Sequence, residues 1–136
     1  MKLKSIISIV LATALNSCTT VNVSCNQENY FSLPLMANNQ VMVAVLNLRQ
    51  ETISDSQCET VLDSQLYVTV DNALNDTISF NYNIKFFEGF NIAAEFSQNI
   101  QHLKPGHSTD EELVSRNLID IENSTILFTG SNLIVE

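Results

Sequence analysis

Three cysteines, two histidines and one run of carboxylates are the residues whose chemistry goes beyond packing. Cys25 and Cys58 would close a loop of about 34 residues, which a disulfide stabilises by roughly 3–4 kcal/mol in the chain-entropy model. The alternative is two free or metal-bound thiols, but there is no Cys-x-x-Cys and no His nearby. His102 and His107 flank Pro105-Gly106, and Asp110 or Glu111 would be a third ligand. That spacing matches no known metal set, so two loop histidines and no metal are expected. Asp110-Glu111-Glu112 contains no EF-hand pattern and reads as a solvated surface or a first helical turn. With glycine only at 89, 106 and 130, neither Gly-x-Ser-x-Gly nor a phosphate-cradling loop can be written. The expectation is no enzyme and no cofactor.

Cys18 stands apart from the other two. Lys2 and Lys4 precede an apolar run that opens at Ile6 and reaches Leu15, the layout of an export signal. This run is shorter than the roughly 20 apolar residues that span a bilayer as a helix. Leu15-Asn16-Ser17-Cys18 resembles a bacterial lipobox, with Ser17 as the usual small residue and Asn16 off the preferred pattern. Ala12-Thr13-Ala14 is a rival A-x-A site for ordinary signal peptidase. Cutting after Ala14 would leave a signal shorter than the usual range of about 15–30 residues, and three cysteines in an exported protein. Acylating Cys18 leaves Cys25 and Cys58 as an even pair. The reading is therefore a lipoprotein signal over 1–17 with Cys18 acylated, and plain secretion as the alternative. In Gram-negative lipoproteins, the residue after the cysteine sorts between membranes. Thr19, not aspartate, implies the outer membrane, facing the periplasm.

Charge limits the partners. Without Lys2 and Lys4, the chain from Cys18 to Glu136 carries 4 basic and 15 acidic residues, a net charge of −11. A nucleic-acid partner is not expected, because phosphate binding needs clustered Lys and Arg. Unaided adhesion to anionic lipid is not expected either. Acyl chains supply about 0.8 kcal/mol per buried CH₂, so a lipid on Cys18 would do the holding. The length of 119 residues after the signal suits one domain. Three Asn-x-Ser/Thr sequons begin at Asn22, Asn75 and Asn123. With 16 Asn in the chain they are expected by chance.

Residues 19–32 are polar and read, with Cys18, as a tether over 18–32. The folded part is expected over 33–136. Val41 to Leu46 and Gln65 to Val70 read as strands. Asp71 to Asp76 is turn chemistry. Ile78, Phe80, Tyr82, Ile84 and Phe86 alternate with polar residues, placing five apolar side chains on one face of a strand. One buried and one wet face is the mark of an antiparallel sheet. Glu88-Gly89 marks a turn into a return strand, and Ile100 to Leu103 a further short strand closed by Lys104-Pro105-Gly106. Ser108 or Thr109 caps a short helix or lies in a polar loop. Leu118 to Ile121, Thr125 to Thr129 and Leu133 to Val135 read as the last strands. This spacing predicts an all-β fold, an antiparallel β-sandwich. Tyr67, Phe87 and Phe90 are candidates for an outward aromatic partner surface.

The stretch from Leu66 to Gly106 resembles small immunoglobulin-like domains of bacterial lipoproteins, the YcfL-type and FxLYD-type families. The resemblance rests on Val68-Thr69-Val70-Asp71-Asn72, the alternating strand, Phe86-Phe87-Glu88-Gly89, and Leu103-Lys104-Pro105-Gly106. It covers about a third of the chain, and the FxLYD motif itself is absent. It implies an immunoglobulin-like sandwich and an envelope address, with no catalytic residues to carry over. The sequence thus suggests an envelope protein that binds another protein. The alternative is a periplasmic or secreted module for a small molecule or a metal.

Overall fold

The computed structural model describes the backbone of residues 2–11, 19–21, 25–38 and 40–136, and side chains over 25–38 and 40–136. The lipobox, Cys18 and Ala12-Thr13-Ala14 lie outside the described residues. Two antiparallel sheets pack face to face as an immunoglobulin-like β-sandwich. One sheet has the order β1-β9-β6-β7, from Lys2–Leu11, Thr125–Val135, Ile78–Glu88 and Asn91–Leu103. The other has the order β2-β3-β4-β5-β8, from Thr19–Val21, Asn26–Ala37, Val41–Ser54, Val61–Asn72 and Glu112–Ser115. A single 3-10 turn at Ile121–Asn123 is the nearest thing to a helix among the described residues.

The alternating strand does what its period dictates. Ile78, Phe80, Tyr82, Ile84 and Phe86 are buried, and the residues between them face outward. Leu33, Leu35, Leu46, Leu48, Leu66, Val68 and Val70 answer them from the opposite sheet. Tyr82 stacks on Phe128 with ring centroids 5.2 Å apart, and its hydroxyl donates to Gln98 Oε1 at 2.9 Å. Burial of that phenol raises its pKa.

Two bulges reverse the inward parity near one end. His102 (φ 52°) and Asn132 (φ 56°) sit where the register of β6 slips against β7 and β9. Each extra residue lets positions three apart, Ile100 with Leu103, and Gly130 with Leu133, face the same core. The Ser79 hydroxyl accepts the His102 N–H at 2.9 Å.

Several sequence expectations need correction. β3 begins at Asn26, so 26–32 belongs to the sheet rather than to a tether ending at residue 32. Phe31, Leu33, Leu35 and Ala37 alternate inward, which fixes the strand. The backbone of Thr19–Val21 also pairs with Asn26–Glu28. Leu118–Ile121 is not a strand. Ile119 and Ile121 fill the core from a loop that ends in the 3-10 turn, capped by the Asp120 side chain. No helix starts at Ser108 or Thr109. Thr109 instead extends the β5 edge, donating its N–H to the Val70 carbonyl at 2.9 Å and accepting the Val70 N–H on its hydroxyl at 3.0 Å. Ile92 and Ile100 belong to one long strand, β7.

Candidate functional site

The solvent face of β3-β4-β5 carries the densest set of interacting polar side chains. Period 2 puts Tyr30, Arg49 and Tyr67 outward, and the register aligns them in one row across three strands. The Arg49 guanidinium lies over the Tyr67 ring, 4.6 Å from its centroid. It forms a two-pronged bond with Glu111, 2.7 Å from Nε and 2.8 Å from the second nitrogen. Glu51 takes a further bond, and Glu28 lies 3.5 Å away. Tyr30 donates its hydroxyl to Glu28 at 2.7 Å, and Tyr67 donates to Gln65.

Electrostatics follow from these contacts. The bond to Glu111, and then the one to Glu51, hold Arg49 protonated beyond its ordinary range. Arg49 in turn holds the Glu111 carboxyl below its ordinary value. The hydrogen bond to Glu28 raises the Tyr30 phenol. One row further along, Ser32 donates to Asn47 at 2.8 Å, and Asn47 Nδ2 donates to Asp71 at 2.7 Å. Ser108 donates to the other oxygen of Asp71. The face is therefore extensively hydrogen-bonded and carries excess negative charge: Glu28, Glu51, Glu111 and Asp71 against one guanidinium.

The three aromatic candidates do not form one patch. Tyr67 lies on this face. Phe87 lies on the outer face of the other sheet, opposite Thr125. Phe90 is the tip of the β6–β7 hairpin and is completely exposed. Sequence reasoning missed Arg49 and Tyr30. Their signal was available: each aligns with Tyr67 once the strands are paired, but pairing is not written in any one strand.

The cysteines and histidines have definite places. Cys25 and Cys58 are joined by a disulfide, with Cα atoms 5.4 Å apart. His102 Nδ1 lies 3.2 Å from Glu136, and His107 Nδ1 lies 3.0 Å from the Pro105 carbonyl oxygen. The two rings serve different neighbours and are not brought together on one ion. Among the described residues no group of three His, Cys, Asp or Glu is placed to hold a metal. Asp110 and Glu112 stand apart from Glu111, which alone reaches Arg49.

No known family model, curated protein or solved structure matches the chain.

Proposed function

We propose that this chain is an exported, lipid-anchored envelope protein that acts without catalysis, by binding another protein. The observation that carries the reading is the fixed Tyr30–Arg49–Tyr67 row with its surplus of carboxylates. Tyr and Arg are enriched at binding hot spots; Tyr offers large contact area with little entropy to lose, and Arg49 is already held by Glu111 and the Tyr67 ring. The surplus charge selects a partner surface rich in Lys or Arg.

Export is supported by the bonded pair Cys25–Cys58, since disulfides persist in oxidising compartments. That bond leaves Cys18 as the odd cysteine, in the position a lipobox would use. Lys2, Lys4 and the apolar run supply the signal, and Thr19 favours the outer membrane over the inner. Cleavage before Cys18 would remove β1, an edge strand, and leave β9 paired with β6 alone. The resemblance to YcfL-type and FxLYD-type lipoproteins supports the same address.

Cross-linking and pull-down from solubilised envelopes test the reading. The wild-type chain captures a partner with a basic surface, and Tyr30→Ala with Tyr67→Ala loses it. Equal capture by the double variant sinks this face as the contact. Fatty-acid labelling that depends on Cys18 tests the anchor separately.

A further inference from the structure

The strand directions bring particular segments to one end of the sandwich. β3 starts there, β4 ends there, and the β4–β5 connection carries Cys58. The β6–β7 hairpin turns there, between Glu88 and Asn91. The loop from β8 to β9 crosses there: Gln50 Nε2 donates to the Ile119 carbonyl at 2.9 Å, and the Asp120 N–H donates to Glu88 at 3.2 Å. Six of the ten large apolar side chains exposed among the described residues belong to this end: Ile53, Val61, Leu62, Phe90, Ile92 and Leu118. Phe90 is the most exposed at 103% and Leu62 follows at 66%.

Once cleaved before Cys18, the chain would enter the domain at this same end. Cys25 is tied to Cys58 there. Cys25 follows Cys18 by seven positions, a stretch that fully extended reaches at most about 25 Å. A strand of 13 residues such as β7 is about 43 Å long. A lipid on Cys18 therefore confines the Phe90 end to within about 25 Å of the bilayer, while the far end is held only through the length of the domain.

We propose that this apolar rim rests on the lipid surface, with Phe90 inserted at the level of the headgroups; the proposal rests on the reading that Cys18 is acylated. Gly89 (φ 63°) starts a two-residue turn that lifts Phe90 clear of the sandwich. An exposed aromatic ring on a short turn suits the interface, where its apolar body leaves water without crossing the bilayer. The rim also carries Asp55, Glu59, Asp63, Glu88, Asp120 and Glu122. Those carboxylates repel anionic headgroups, so the surface selected is zwitterionic.

The chain has no tryptophan, so one placed at the tip reports alone. Full-length protein carrying Phe90→Trp is purified from envelopes and placed in phosphatidylethanolamine–phosphatidylcholine vesicles containing brominated lipid. Emission from the introduced indole is expected to shift to the blue and to be quenched. Replacing part of the zwitterionic lipid by anionic lipid should weaken the quenching. Met42→Trp, at the opposite end and 45% exposed, should stay unquenched. The mass of the Cys18 peptide reads the anchor independently. Without acyl chains the anchor reading fails, and the rim is then read with Cys18 coupled to a maleimide lipid. With either lipid attached, a tip indole that remains in water overturns the proposal. So does one whose emission shifts only when another envelope protein is added, which assigns the rim to a protein partner.

Discussion

Asn72 Nδ2 lies 2.8 Å from the carbonyl oxygen of Leu103, joining the last residue of β5 in one sheet to the last residue of β7 in the other. The same amide nitrogen donates to the Asp76 carbonyl at 2.8 Å, and Asn72 Oδ1 accepts the Leu74 N–H at 2.8 Å. One buried side chain thus closes the crossover between sheets and bonds three backbone groups.

Asn72→Leu removes all three bonds while keeping the volume. Only the Leu103 bond is fully buried and the other two are part-buried, so the loss should be about 2–4 kcal/mol, below the sum for three buried groups at about 1–3 kcal/mol each. Asn72→Asp retains the acceptor but sets a buried carboxylate oxygen against two carbonyl oxygens, so at neutral pH it should cost at least as much. Urea denaturation with equal slopes measures both. A loss of less than half a kcal/mol for Asn72→Leu would show that water takes over the amide's role.

The Cys25–Cys58 bond closes a sequence separation of 33 residues. Cys25→Ser with Cys58→Ser should lower stability by roughly 3–4 kcal/mol in the chain-entropy model. Reducing agent should lower the melting temperature of the wild-type chain and leave the double variant unchanged. Two free thiols in the denatured, unreduced protein would remove the premise.

Gly89 adopts φ 63°, and its added Cβ would meet no atom within 4 Å. The penalty for Gly89→Ala is therefore conformational alone, about 1–2 kcal/mol. Phe90→Ser should be nearly neutral in stability, within about half a kcal/mol, because the ring touches water on all sides. Thermal melts of the two variants should separate in that order.

The Glu111 carboxyl titrates below its ordinary value of 4.5 because Arg49 stabilises its charged form. Its folded-state pKa is depressed, so the stability it contributes is present above the unfolded value and is lost as pH falls through the folded one. Glu111 is 39% exposed, so solvent screens the pair and its worth stays below about 1 kcal/mol. Between about pH 6 and about pH 3 the wild-type chain should lose this increment, and Glu111→Gln should lose less. The gap between the two should narrow with acid. A gap that widens with acid contradicts the assignment.

Residues 77–86 were legible from sequence because one strand with one wet face writes its own period. So was the sandwich, since such strands must find a second sheet. The turn at Pro105-Gly106 was legible too. His107 N–H reaches the Lys104 carbonyl at 3.1 Å, and Gly106 (φ 70°) supplies the left-handed residue. Asn26–Ser32 hid its strand because its early positions are mostly polar, and only Phe31 is plainly a core residue. Ile100–Leu103 read as a strand of its own, and Gly130-Ser131-Asn132 as a break between strands, because a bulge changes the inward parity, and a bulge is a property of pairing. Leu118–Ile121 looked like a strand because two inward isoleucines can come from a loop as well. The Arg49 site was invisible for a related reason: its members come from β3, β4, β5 and the loop before β8, and only the register aligns them.

The disulfide also decides how the domain would carry a load. A pull on the chain ahead of Cys25 would, without the bond, start to unzip β3 from β4 at Gln27 and Thr52, one rung at a time. With the bond closed, tension passes from Cys25 into Cys58, at the connection between β4 and β5. β4 is the central strand of its five-stranded sheet. A force applied ahead of Cys25 would then be shared between β3 and the adjoining ends of β4 and β5, instead of falling on the first rung of β3 alone.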